Sequence, residues 1–199
     1  MRRIIALSAS ALAGVLAGCN AQSAPSASAE YFERLTQLCD GNAYAGRLVS
    51  QDDADADFAD AEMTIGPASC TGLMVRVPFR VGEDRSRTWE ITRTTDGVRL
   101  KHDHRHRDGS EDTLTQYGGD SAGISTIDRH DFPADQETKD LFIAEGIEVS
   151  TQNTWTVEIE PGQTFAYQMS RPNRLFRVEF DLSEPTDLPP PPWGEHPIE

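Results

Sequence analysis

In residues 73–81 every second side chain is apolar: Leu73, Val75, Val77, Phe79 and Val81 share one face, and Met74, Arg76 and Arg80 share the other. A repeat of two places side chains alternately on opposite faces of an extended chain, so this segment reads as a strand with one face in a core. Pro78 has no N–H to give to a ladder, which predicts an edge strand or a bulge. Turn residues then recur at short intervals. Gly82-Glu83-Asp84 leads into a strand at 87–94 with Trp89 and Ile91 on one face; Asp96-Gly97 reverses into residues 98–106, and Asp108-Gly109 reverses again before 112–117. Pro161-Gly162 and Pro172-Asn173 separate further strands at 154–160, 164–170 and 175–181. Strands joined by connections this short pair antiparallel.

Two segments break the pattern. Residues 30–38 put Phe32, Leu35 and Leu38 at helical spacing before the stop Asp40-Gly41-Asn42. Residues 131–146 carry Pro133 at a helix start, Leu141 and Phe142 on an apolar side, and Gly146 as a stop. The expected fold is mainly β: an antiparallel meander forming a curved sheet or up-and-down barrel, with a short N-terminal helix and one inserted helix. Trp89, Trp155, Phe165, Tyr167 and Phe176 read as core. The run Pro189-Pro190-Pro191-Pro192 before Trp193 forces an extended tail, expected to be strapped along the domain with Trp193 against it rather than offered to a partner.

The chain opens with Arg2 and Arg3, followed by an apolar run from Ile4 to Leu16 that is too short to span a membrane, the layout of an export signal. It ends in Leu16-Ala17-Gly18-Cys19, which resembles the lipobox of bacterial lipoproteins. The resemblance implies removal of residues 1–18 and acylation of Cys19, and two or three acyl chains anchor a protein durably. By that family's sorting tendency Asn20, in place of Asp, implies the outer membrane, with the domain facing the periplasm. The expected organisation is a signal peptide at 1–18, a lipidated Cys and small, polar tether at 19–29, one β-rich domain at 30–186 and a Pro-rich tail at 187–199. A looser resemblance joins residues 38–48 to the Gly-x-aromatic opening strand of lipocalin-like calycin barrels, although Gly41 and Tyr44 are one residue further apart than that pattern wants. It implies an internal ligand cavity.

Export also bears on the cysteines. Once Cys19 is acylated, Cys39 and Cys70 are left in an oxidising compartment, where a disulfide is expected. The chain carries 33 acidic against 18 basic residues, a formal net charge of −15. That excludes an electrostatic affinity for nucleic acid or an anionic lipid face, and leaves cationic ligands or metal ions open.

Three motifs could carry chemistry. His102, His104 and His106 alternate in one strand and so share a face; two of them, with Asp112 across the reversal as a carboxylate ligand, could hold zinc, copper or nickel. The plainer reading is a hairpin end with histidines hydrogen-bonded to acidic neighbours. Gly119-Asp120-Ser121-Ala122-Gly123 matches the Gly-x-Ser-x-Gly form of a nucleophile elbow, making Ser121 a weak candidate catalytic residue; no strand–turn–helix context surrounds it, so a glycine turn is expected. The acidic run 52–62 imitates a calcium loop, but Phe58 and Thr64 stand where such a loop needs Gly and Glu. The leading expectation is a non-enzymatic envelope lipoprotein that binds a small ligand or a partner protein. A metal-binding role for the histidine strand comes second and serine hydrolysis third.

Overall fold

The period-two pattern becomes a sheet that curls on itself. The computed structural model describes residues 25–123 and 125–195; the leader, the lipobox and Cys19 lie outside the described residues. In chain order the strands are β1 (Ala43–Leu48), β2 (Met63–Ile65), β3 (Ser69–Cys70), β4 (Met74–Val81), β5 (Asp84–Arg93), β6 (Val98–His104), β7 (Tyr117–Asp120), β8 (Arg129–Pro133), β9 (Thr154–Glu160), β10 (Thr164–Arg171) and β11 (Arg174–Thr186). The helices are α1 (Ala27–Leu35), α2 (Ala56–Ala59) and α3 (Gln136–Ala144). The sheet runs β7-β6-β5-β4-β2-β1-β11-β10-β9-β8, with β3 a side branch on β4. Every pairing is antiparallel, and the two ends of the meander meet where β1 pairs with β11.

Strands β7 and β8 form the remaining seam, and the barrel is nearly closed there. The Asp135 N–H donates to the Gly118 carbonyl at 2.9 Å, and the Ala122 N–H to the Asp131 carbonyl at 2.9 Å. The Thr138 hydroxyl, in the first turn of α3, accepts from the Gly118 N–H at 2.7 Å and donates to its carbonyl at 2.9 Å. This approach needs glycine: a Cβ on Gly119 would sit 2.0 Å from the Pro133 carbonyl oxygen.

Pro78 is neither at an edge nor in an uninterrupted ladder. A strand residue's N–H and C=O point the same way. The Pro78 carbonyl accepts from the Gly66 N–H at 3.0 Å, so the missing donor faces the Gly66-Pro67 turn that separates β2 from β3. The strand opposite is broken where proline has nothing to donate. A bulge between Phe79 and Val81 follows.

The structure also moves several expected boundaries. The strand expected at 112–117 forms at Tyr117–Asp120, because Gly118 and Gly119 alone can approach β6 and β8 this closely. Residues 119–123 are therefore half strand rather than a free glycine turn. Pro133 ends β8 instead of starting a helix; α3 begins at Gln136, with the Asp135 carboxylate accepting from the Thr138 N–H at 2.8 Å. Helix α1 starts at Ala27 with Ser26 as its cap, so residues 27–29 are helical rather than tether.

Helix α1 lies across the end of the barrel that carries the β5–β6 and β9–β10 turns, and it buries Tyr31, Phe32 and Leu35. The Tyr31 hydroxyl donates to the Val157 carbonyl at 3.2 Å, and Arg93 of β5 reaches Glu33 at 3.7 Å. The Cys39–Cys70 disulfide ties the chain after α1 to β3. The proline tail is strapped on the outer wall as expected: the Arg85 guanidinium donates to the Pro191 carbonyl at 2.9 Å, the Trp193 N–H to the Arg85 carbonyl at 3.0 Å, and Arg107 lies over the Trp193 ring at 5.4 Å. Among the described residues no helix is long and apolar enough to cross a membrane.

Candidate functional site

The barrel end opposite α1 is not filled. Strands there run out of apolar inward residues before they run out of length. On β5 the inward series Ile91, Trp89 ends in Arg87; on β6 Val98, Leu100, His102 ends in His104; on β10 Phe165, Tyr167, Met169 ends in Arg171. Arg87 is paired with His104 across the ladder, and Arg171 with Arg174. Polar ends on neighbouring strands fall at one rim, around a cavity of about 430 Å³.

The walls are aromatic. Trp89 is stacked between Phe79 (centroids 4.8 Å apart) and Tyr167 (4.3 Å). Tyr117 is stacked on His102 at 4.4 Å, with Trp155 5.1 Å from His102 and Phe142 of α3 5.4 Å from Tyr117. Phe58 of α2 meets Phe176 edge-on at 5.0 Å, and Ile147 after α3 completes the lining on that side.

Hydrogen bonding fixes the floor. His102 is 2 % exposed, and its Nδ1 lies 2.9 Å from the Tyr117 carbonyl. A carbonyl only accepts, so Nδ1 carries the proton; Nε2 then accepts from the Tyr167 hydroxyl at 2.7 Å. Burial pushes the His102 pKa down to about 3, and the His104 pKa, helped by the Arg87 charge, down to about 4. Burial also raises Tyr117 to about 12 and Tyr167 well above the usual phenol range. Near pH 7 the floor is neutral while remaining polar.

The rim is charged. Arg174 donates to the Asp55 carboxylate at 2.8 Å and lies 3.4 Å from Asp52; Arg87 is paired with Asp84. Arg171 differs: its Nη1 donates to the Asn153 side-chain oxygen at 3.0 Å, and among the described residues it takes part in no ion pair. Asp112 lies on the rim with its Oδ1 turned back to accept from the Leu114 N–H at 2.9 Å.

The expected site residues separate. His102, His104 and Asp112 all border the cavity, but His106 lies beyond the end of β6, more than half exposed, with Nδ1 3.9 Å from Asp112. A metal on His102 Nε2 would have to displace the Tyr167 hydroxyl that donates to it at 2.7 Å. Among the described residues no group of three His, Cys, Asp or Glu is arranged to hold a metal. Ser121 is spent on the ladder: its N–H donates to the Val98 carbonyl at 2.8 Å, and its hydroxyl accepts from the Val98 N–H at 3.2 Å. His130 is buried against Tyr31, ring centroids 4.2 Å apart, with neither nitrogen hydrogen-bonded. No hydrogen bond joins it to Ser121.

Sequence reasoning missed Tyr117, Phe142, Asn153 and the rim arginines as site residues. For the arginines the signal was present: Arg87 and Arg171 each continue an inward face by one step. Comparisons with protein-family models, curated proteins and solved structures find no match for this chain, and they add nothing to the calycin resemblance of residues 38–48.

Proposed function

We propose that this chain is a lipid-anchored envelope protein whose barrel binds a small, largely apolar molecule, and that it works as a binder rather than a catalyst. The observation that carries the reading is the cavity itself, walled by Trp89, Trp155, Tyr117, Phe142 and Tyr167 and open at one rim. Its volume lies within the roughly 300–1,000 Å³ of small-molecule pockets, and its aromatic walls, with polar groups gathered at the floor and the rim, suit a molecule with an apolar body. A general acid or base works best with a pKa near the working pH. With His102 pushed down to about 3, His104 down to about 4 and Tyr117 up to about 12 by burial, none of these groups is poised near neutrality as a general acid or base, which favours binding over catalysis. The anchor is read from the lipobox and Cys19 alone.

The test is a fluorescence titration of the mature protein with N-phenyl-1-naphthylamine, a neutral aromatic probe that brightens when removed from water. The reading expects saturable one-to-one binding, weakened at least tenfold in Leu114→Trp, whose indole would occupy the cavity. No saturable binding by a folded wild type contradicts it.

A further inference from the structure

The cavity has an end-to-end polarity that restricts its ligand. Three arginines border the rim, Arg87, Arg171 and Arg174, in a chain with only 18 basic residues against 33 acidic ones. Two are already neutralised: Arg87 by Asp84, and Arg174 by Asp55 and Asp52. Arg171 is half-buried and, among the described residues, has only the neutral Asn153 oxygen at 3.0 Å and the Met169 sulfur at 3.8 Å. A guanidinium has five donors in a planar fork that matches a carboxylate or sulfonate, and one neutral acceptor leaves most of them unused. The floor offers no counter-charge, since His102 and His104 are both neutral there. Asp112, the other charge on the lining without an arginine partner, keeps Oδ1 on the Leu114 N–H and lies beside His106.

We propose that the ligand is an amphiphilic organic anion, an aromatic or acyl body carrying one carboxylate or sulfonate, held with its body among the aromatic walls and its acidic group on Arg171. This rests on the binding reading above. It adds an orientation: head at the rim, tail toward His102. It also reverses the expectation from overall charge, because an acidic chain sets the one rim arginine that lacks a carboxylate partner among the described residues against an anion.

The experiment changes only the head group. Decanoate and decylammonium below their micelle concentrations, and decanol below its solubility limit, are titrated against the mature protein by calorimetry and, separately, as competitors of N-phenyl-1-naphthylamine. Wild type is expected to bind decanoate about tenfold more tightly than decanol, with decylammonium weakest; a charge-assisted hydrogen bond at a half-exposed site is worth about that factor. Arg171→Gln should bring decanoate to the level of decanol while leaving decanol binding within about twofold, and Arg171→Lys should keep part of the preference. Equal affinity for the three head groups in wild type, no decanoate binding at all, or a preference that survives intact in Arg171→Gln overturns the proposal. Loss of the neutral probe as well as the amphiphiles overturns the binding reading itself, whereas neutral binding without charge preference overturns only the anion. Melting curves of both variants confirm that the fold is intact.

Discussion

The Nε2 of His102 and the hydroxyl of Tyr167 lie 2.7 Å apart, and the donor is the tyrosine, because the Tyr117 carbonyl has already claimed the proton on Nδ1. The imidazole is thus one link in a chain from Tyr167 to His102 to the β7 backbone. Its neutrality is built into the fold.

Acid should therefore destabilise the protein earlier than carboxylate protonation alone. His102 and His104 have folded pKa values of about 3 and about 4, below the usual 6.5. Between these values and 6.5 the unfolded chain binds more protons, so stability is complete above about pH 6.5 and falls as pH drops. The slope reaches about 1.4 kcal/mol per pH unit for each histidine. Denaturant titrations from pH 7.5 to 4.5 should show this decline, and His102→Gln, less stable at pH 7, should show a shallower one. An identical slope in the variant would remove His102 from the account.

The seam makes a second prediction. A Cβ at position 119 meets the Pro133 carbonyl oxygen at 2.0 Å, and backbone cannot give as a flexible side chain can. Gly119→Ala should cost about 2 kcal/mol or more and raise amide exchange at Gly118 and Asp135, where β7 meets the start of α3. Unchanged melting would mean that the barrel is open there.

The disulfide makes a third. Cys39 and Cys70 are 31 residues apart in sequence, and closing a loop of that size stabilises by about 3–4 kcal/mol in the chain-entropy model. Reductant, or the Cys39→Ser, Cys70→Ser double variant, should lower the melting temperature by ten degrees or more. Native protein should show no free thiol at either position.

The proposed anchoring rests on residues 16–19 alone. Cys19→Ala should leave the chain unprocessed or release it from the membrane fraction. If that variant is cleaved normally and still fractionates wholly with membranes, the lipobox reading fails.

Much of this was legible because period-two patterning is unforgiving. Val75, Val77 and Phe79 could face the core only as a strand, and Gly97, Gly162 and Asn173 marked reversals that the structure keeps. The β7–β8 region was not legible, since Gly118 and Gly119 look like a turn when read locally. Their use, letting Pro133 and the first turn of α3 come within bonding distance, depends on residues that are remote until the barrel closes. Pro133 misled for the same reason: the cap for α3 is Asp135, two residues on. His102 and His104 share a face, the one that carries Val98 and Leu100, but β6 ends at His104, and His106 turns away with the chain instead of sharing it. Arg171 was readable in principle as the last inward position after Phe165, Tyr167 and Met169, yet a charged residue closing a strand looks like surface until the rim is assembled.

The central claim, a ligand inside the barrel mouth, is tested most directly by the indole N–H resonances of the three tryptophans. Trp89 and Trp155 line the cavity, whereas Trp193 lies in the outer strap against Arg107 and Arg85 and serves as an internal control. On titrating the isotope-labelled domain with N-phenyl-1-naphthylamine, the Trp89 and Trp155 signals should shift and saturate together at one equivalent while Trp193 stays in place. Shifts confined to Trp193, or no shift at Trp89 and Trp155 at saturating probe, would contradict it.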